Sequence, residues 1–126
     1  MNFPTELRYS KDHEWAKMEG NIATIGITDY AQDALGDVVF VELPMVGKEF
    51  SVGAEVGVVE SVKSVSSLYA PVAGKVITVN KELEAHSELI NKSPYAQGWI
   101  AKIEVSNPAD IEQLLTAPQY QAILKK

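Results

Sequence analysis

Short β-branched runs closed by turn residues make up most of this chain. Residues 21–27 place Ile22, Ile25 and Ile27 among small and polar neighbours, and residues 38–43 form an apolar run stopped by Pro44. Two more valine-rich runs lie within residues 56–69, and residues 75–79 and 99–105 repeat the pattern. Turn formers punctuate them: Gly36-Asp37, the stretch from Pro44 to Gly47, Gly53, the stretch from Pro71 to Gly74, and Asn80. Many short strands with regular turns predict an all-β sandwich or barrel.

Three short helices are expected on this frame. Thr28 caps one that runs to Leu35, with Ala31, Ala34 and Leu35 on one face and Gly36 as its stop. Asn107 caps a second, with Pro108 at the first helical position and Asp110 and Glu112 in the first turn. Its apolar face is Ile111, Leu114 and Leu115. After Thr116-Ala117-Pro118, a last helix sets Tyr120, Ile123 and Leu124 on one side.

The two runs within residues 56–69 flank Val62-Lys63, with no Gly, Asn, Asp or Pro between them. They read as a hairpin with one lysine at its tip. Two-residue tips of type I′ need positive φ, which a β-branched valine resists, so a type I turn centred on Val62-Lys63 fits better. Taken alone, such a lysine is most simply a solubilising, edge-protecting charge. A break in local turn chemistry also marks a place to look for function.

Composition narrows the classes. A chain of 126 residues is long enough for one domain with a core, and a single domain over 1–126 is expected, with a C-terminal helical segment over 107–126. The 11 basic and 17 acidic residues give a formal charge of −6, the wrong sign for a protein that neutralises phosphates, so no nucleic-acid partner is expected. Lys125-Lys126 is expected to be only a solvated chain end. No run is long and apolar enough to span a bilayer, and residues 1–6 resemble neither a secretory signal nor a transit peptide, so a cytoplasmic location and no membrane partner are expected. With no cysteine, disulfides and cysteine nucleophiles are excluded. His13 and His86 lack neighbours at metal-ligand spacing, so no metal site is expected. Phosphate-binding and dinucleotide-binding glycine motifs and a serine nucleophile elbow are absent. These gaps favour a carrier over an enzyme.

Several motifs carry a resemblance. Glu60-Ser61-Val62-Lys63-Ser64, followed by the segment from Tyr69 through Pro71 and Gly74 to Val76, resembles the attachment region of the glycine cleavage system H proteins. The segment from Tyr9 to Trp15, with His13-Glu14-Trp15, resembles the family's N-terminal signature. Residues 23–36, 37–44 and 93–103 are similar as well, so the likeness runs nearly end to end. The resemblance implies a mainly β, barrel-sandwich hybrid fold of the lipoyl and biotinyl carrier type: two small antiparallel sheets with short flanking and C-terminal helices. Pro44-Met45-Val46-Gly47-Lys48 and Pro71-Val72-Ala73-Gly74-Lys75 share Pro-x-x-Gly-Lys. This weak echo is either two similar turns or a trace of the quasi-two-fold duplication such domains share.

The resemblance also implies a function. Lys63 would hold lipoate in amide linkage, attached by lipoylating enzymes, and the protein would act as a monomeric shuttle. Its partners would be the pyridoxal-phosphate enzyme glycine decarboxylase, the tetrahydrofolate-dependent aminomethyltransferase, and the FAD enzyme dihydrolipoyl dehydrogenase. Glu14 matches the family's cleft carboxylate, which could hold the protonated amine of the loaded arm. By its sequence alone, Glu14 reads equally well as a solvated loop glutamate, and Trp15 reads as core. Three departures bear on the cleft: Ser67 stands where the family usually has an acid, Tyr30 where it often has His, and Asp12 where it often has Ser or Glu. Asp12 is therefore a second candidate contact to the arm.

Alternatives remain open at this point. A biotin carrier would set its lysine between methionines, whereas Val62 and Ser64 flank Lys63. A 2-oxoacid dehydrogenase-type lipoyl domain would show Asp-Lys-Ala at the tip and lack the His-Glu-Trp segment. An unmodified structural module derived from such a carrier would be expected to have lost the lysine.

Overall fold

The computed structural model describes residues 1–124, so Lys125-Lys126 lies outside the described residues. In chain order the strands are β1 (Arg8–Tyr9), β2 (Glu14–Glu19), β3 (Ile22–Ile27), β4 (Val38–Glu42), β5 (Glu49–Phe50), β6 (Glu55–Ser61), β7 (Val65–Tyr69), β8 (Gly74–Val79) and β9 (Ala101–Val105). The helices are α1 (Asp29–Leu35), α2 (Glu82–Ala85), α3 (Leu89–Lys92), α4 (Ala109–Glu112) and α5 (Ala117–Leu124). The strands form two antiparallel sheets, one ordered β1-β2-β3-β9-β8-β5 and the other β4-β6-β7. The fold is mainly β with short helices, as the strand pattern and the resemblance predict.

Inward-facing residues of both sheets make one core, including Ile25, Val41, Val59, Leu68, Val76 and Ile103. A second cluster joins Leu7, Tyr9, Trp15, Ala117 and Tyr120, with Phe3, Leu115 and Leu124 packed against it. Trp15 is 1% exposed, in line with its reading as core. Its indole lies over Gly26, where an added Cβ would come within 2.7 Å of the ring nitrogen. That nitrogen donates to the Pro94 carbonyl at 3.0 Å, so the buried polar end of the ring is satisfied.

The predicted strands are all present. β1, β2 and β5, and the single-turn helices α2 and α3, were not predicted. β2 hides from an alternation test because Glu14, Trp15 and Ala16 are buried consecutively. Four-residue helices are too short for a 3.6-residue period to register. The helix after Asn107 is a correction. It is one turn, α4, because Leu115 leaves to pair with Tyr9 through backbone bonds of 2.8 and 2.7 Å in both directions. Asn107 still caps it, accepting from the Ala109 N–H at 3.2 Å. In α5, Tyr120 and Leu124 pack inward as expected, but Ile123 is 36% exposed.

The echoing Pro-x-x-Gly-Lys segments lie side by side. Gly47 N–H donates to the Val76 carbonyl at 2.7 Å, Val76 N–H donates to the Lys48 carbonyl at 3.0 Å, and Glu49 pairs with Lys75. Antiparallel neighbours of this kind suit the two-fold duplication over two chance turns.

Candidate functional site

The hairpin tip is held from two directions. Ser61 N–H donates to the Ser64 carbonyl at 2.8 Å. The Ser61 hydroxyl donates to the same carbonyl at 3.2 Å and accepts from the N–H groups of Lys63 and Ser64 at 3.3 and 3.0 Å. This local side-chain turn is the chemistry that replaces glycine or asparagine at the tip. Val62 N–H donates to the Asp37 carbonyl at 3.0 Å, which ties the tip to the loop after α1. Val62 and Lys63 both have negative φ, so type I′ is excluded, as their side chains predict.

Lys63 is exposed at this tip. Its stem runs beside Gly36, where an added Cβ would sit 3.4 Å from Lys63 Cε. Gly36 has φ 83° and ψ −159°, a conformation that glycine alone takes without strain. The residue that stops α1 therefore also keeps a lane clear for the lysine. The predicted cap is in place: the Thr28 hydroxyl accepts from the Ala31 N–H at 3.1 Å.

A cleft of about 280 Å³ opens between α1, the start of β2 and the β7 edge of the smaller sheet. Asp12, His13, Glu14 and Tyr30 line one part, and Ser64, Val65, Ser66 and Ser67 line the side that starts at the hairpin tip. Ile27, Ala31, Leu35 and Val59 supply apolar wall. A second cavity of about 440 Å³ lies against Val52, Ala70, Pro71, Leu114 and Leu115, and it shares Asp12 and Glu14 with the first. The two candidate carboxylates thus stand between the two hollows.

Glu14 is not a solvated loop residue. It begins β2, pairs with Ile27 across the ladder and is 2% exposed. One oxygen accepts from the Ser10 hydroxyl at 2.5 Å and the other from the Tyr69 N–H at 3.2 Å. Among the described residues no cation lies within ion-pair distance of it; the single ion pair there is His86–Glu88. Burial pushes its pKa up to about 7, with the nearby Asp12 charge adding to it, against the lowering effect of its two hydrogen bonds. Asp12 is exposed on the rim of the cleft. Ser67 and Tyr30, two of the three departures noted in the sequence, line the same cleft, so all three cluster in space.

Sequence reasoning missed four participants. Ser10 and Ser61 are short polar residues whose roles depend on loop geometry, and no spacing rule flags them. His13 lines the cleft with φ 71°, and its ring lies 4.8 Å from Tyr30. Tyr120, from the far end of the chain, places its hydroxyl 2.7 Å from His13 Nδ1. Among the described residues no group of three or more His, Cys, Asp and Glu could hold a metal ion. No helix among them is long and apolar enough to cross a membrane.

A family model for the glycine cleavage H-protein matches residues 7–126 of this chain. The chain is 58% identical over 125 residues to a glycine cleavage system H protein of Symbiobacterium thermophilum, covering 99% of this chain and 98% of that one. It is 53% identical over 123 residues to the corresponding protein of Carboxydothermus hydrogenoformans, covering 98% and 95%. The crystal structure of a glycine cleavage system H protein from Mycobacterium marinum superposes with a TM-score of 0.90 at 36% identity, over 98% of this chain and 100% of that one.

Proposed function

This chain belongs to the glycine cleavage H-protein family, the carrier component of the glycine cleavage system, and from that premise we propose that it carries lipoate in amide linkage on Lys63 and docks the loaded arm in the cleft beside β7. One observation carries the reading. A single exposed lysine sits on a tip pinned by Ser61 and Asp37, next to Ser64 where the cleft lining begins, and the cleft reaches a buried carboxyl with no cation within ion-pair distance among the described residues.

The residues fit the group. An extended lipoyl-lysine has about twelve bonds from Cα to its nearer sulfur, or about 14 Å. Four residue steps, from Lys63 at the tip to Ser67 in β7, cover at most about 13 Å. The apolar wall of Ile27, Ala31, Leu35 and Val59 suits a hydrocarbon arm, and Glu14 stands where its far end would lie. When bound, lipoate supplies a dithiolane that accepts an aminomethyl group and a pair of electrons. Glu14 would hold the ammonium of that cargo, and Asp12 on the rim would add a second negative charge. The side chains of the cleft would limit water around the labile sulfur–carbon–nitrogen linkage.

The partners follow from this role. Glycine decarboxylase would load the arm, the aminomethyltransferase would unload it onto tetrahydrofolate, and dihydrolipoyl dehydrogenase would reoxidise the dithiol. Lysine suits the attachment because its side chain is long, flexible and ends in one nucleophile. The ammonium must lose a proton before it attacks activated lipoate, and an exposed tip allows that.

Two variants test the tip. Exchanging its residues, Val62→Lys with Lys63→Val, keeps a lysine in the turn but moves it off the lane beside Gly36. Lipoylation rates in a purified ligase assay should fall sharply. Equal rates would show that the geometry of the tip is irrelevant. Ser61→Ala removes the hydroxyl that organises the tip. It should slow lipoylation while lowering stability by about 1 kcal/mol, the worth of a typical hydrogen bond. A large loss of stability with unchanged lipoylation would make Ser61 a folding residue instead.

A further inference from the structure

Behind the cleft, two hydroxyls and one imidazole form a chain that the holding of an ammonium does not explain. Thr28 and Tyr120 are fully buried. Thr28 Oγ1 accepts the Ala31 N–H at 3.1 Å and lies 2.8 Å from Tyr120 Oη. Tyr120 Oη lies 2.7 Å from His13 Nδ1. Each hydroxyl has one proton to give. If Tyr120 gave its proton to Thr28, the buried Thr28 proton would have no acceptor among the described residues. A buried donor left unmade costs about 1–3 kcal/mol. The arrangement that satisfies every group runs the other way: Thr28 donates to Tyr120, and Tyr120 donates to His13 Nδ1. The neutral ring then carries its proton on Nε2.

The surroundings keep both groups in these states. Burial holds the His13 pKa below its ordinary value, with Asp12 opposing, so the ring is neutral near pH 7. Burial pushes Tyr120 up to about 12, so it keeps its proton. The His13 backbone is fixed in its left-handed conformation by His13 N–H donating to the Ser10 carbonyl and by Thr28 N–H donating to the His13 carbonyl, both at 3.1 Å. Nε2 has no protein acceptor among the described residues, and His13 lines the cleft next to Glu14.

We propose that His13 presents its Nε2–H to the sulfur at the end of the arm on Lys63, and that Tyr120 is the positioning residue that fixes this tautomer from the C-terminal helix. The proposal rests on the reading of Lys63 as the lipoylated residue. It assigns the cleft two complementary contacts. The Glu14 carboxylate takes the cationic nitrogen, and the imidazole N–H takes the sulfur, which is a good acceptor as thiolate and a weak one as thiol. A bare Nε2 would instead compete with Glu14 for the ammonium.

Imidazole nitrogen spectra of uniformly nitrogen-15-labelled protein test this directly. In the unmodified wild type, His13 should show a protonated Nε2 and a bare Nδ1. Tyr120→Phe removes the donor to Nδ1 and should give a mixture of tautomers, with Lys63 still lipoylated and cooperative unfolding retained. In reduced, aminomethyl-loaded wild-type protein the His13 Nε2 signal should move, while exposed His86 serves as an unmoved reference. A proton on Nδ1 in the wild type, an unchanged tautomer in Tyr120→Phe, or an unmoved Nε2 on loading overturns the proposal. Failure of Lys63 to take lipoate, read by mass, overturns the carrier reading instead. The tautomer test on unmodified protein still decides its own question.

Discussion

Lys63→Arg is expected to fold as the wild type does and to take up no lipoate at all. The substitution keeps the positive charge and most of the stem, so the lane beside Gly36 and the tip bonds of Ser61 survive. An exposed side chain at a tip contributes little packing, and its replacement should leave stability within about 0.5 kcal/mol. Guanidinium keeps its proton near neutral pH and cannot attack activated lipoate as a free amine does. The check is a lipoylation assay on both proteins beside their denaturation curves. Modification persisting on another lysine would remove Lys63 from the attachment site. Loss of modification together with loss of folding would not occur if the tip is as independent of the core as its exposure indicates.

Glu14→Gln is expected to act in opposite directions on stability and on cargo. In the unfolded chain this carboxyl loses its proton near 4.5, and in the folded protein near 7. Below pH 4.5 both states are protonated, so the residue makes no difference to the balance. Between the two values the folded state holds a proton that the unfolded state has lost, and stability falls as the pH rises. Above pH 7 the whole cost is present, roughly 3 kcal/mol. Glutamine cannot ionise, but its amide can accept only one of the two hydrogen bonds from Ser10 and Tyr69, a loss of about 1 kcal/mol. The variant should therefore be more stable than wild type by roughly 2 kcal/mol at pH 8 and no more stable at pH 4. Denaturation midpoints at both pH values measure this, and a variant destabilised at pH 8 would contradict it. Cargo should respond the other way. A charge-assisted hydrogen bond is worth about 1.5–3 kcal/mol, and solvent at the cleft mouth screens part of it, so loaded Glu14→Gln protein should release ammonia about tenfold faster. Equal release rates would move the contact to Asp12 or to backbone groups.

On the proposed reading, both effects come from one feature, a buried carboxyl with no cation within ion-pair distance among the described residues. It is costly in the free protein, and the ammonium proposed to dock there would offset that cost. That feature was half legible in the sequence. Glu14 could be singled out through the resemblance, but its burial could not, because β2 breaks the two-residue alternation at Glu14, Trp15 and Ala16. The strands with clear β-branched runs, the Thr28 cap and the Gly36 stop were readable because each rests on local chemistry. The helix expected after Asn107 to carry Leu114 and Leu115 on its apolar face stops after one turn because Leu115 is claimed by Tyr9, a partner more than 100 positions away. The chain of Thr28, Tyr120 and His13 was invisible for the same reason: His13 precedes β2, Thr28 caps α1 and Tyr120 lies near the C-terminus. Lys63 was legible as unusual, since Val62 forbids the common tip geometry, while the Ser61 hydroxyl that makes the tip possible was not.

The most direct test of the account is the intact mass of the native wild-type protein. The account predicts one lipoyl group per chain, located by fragmentation on Lys63. A biotinyl mass, a lipoyl group on a different lysine, or a chain that stays unmodified in the presence of active lipoylating enzymes and lipoate would contradict it.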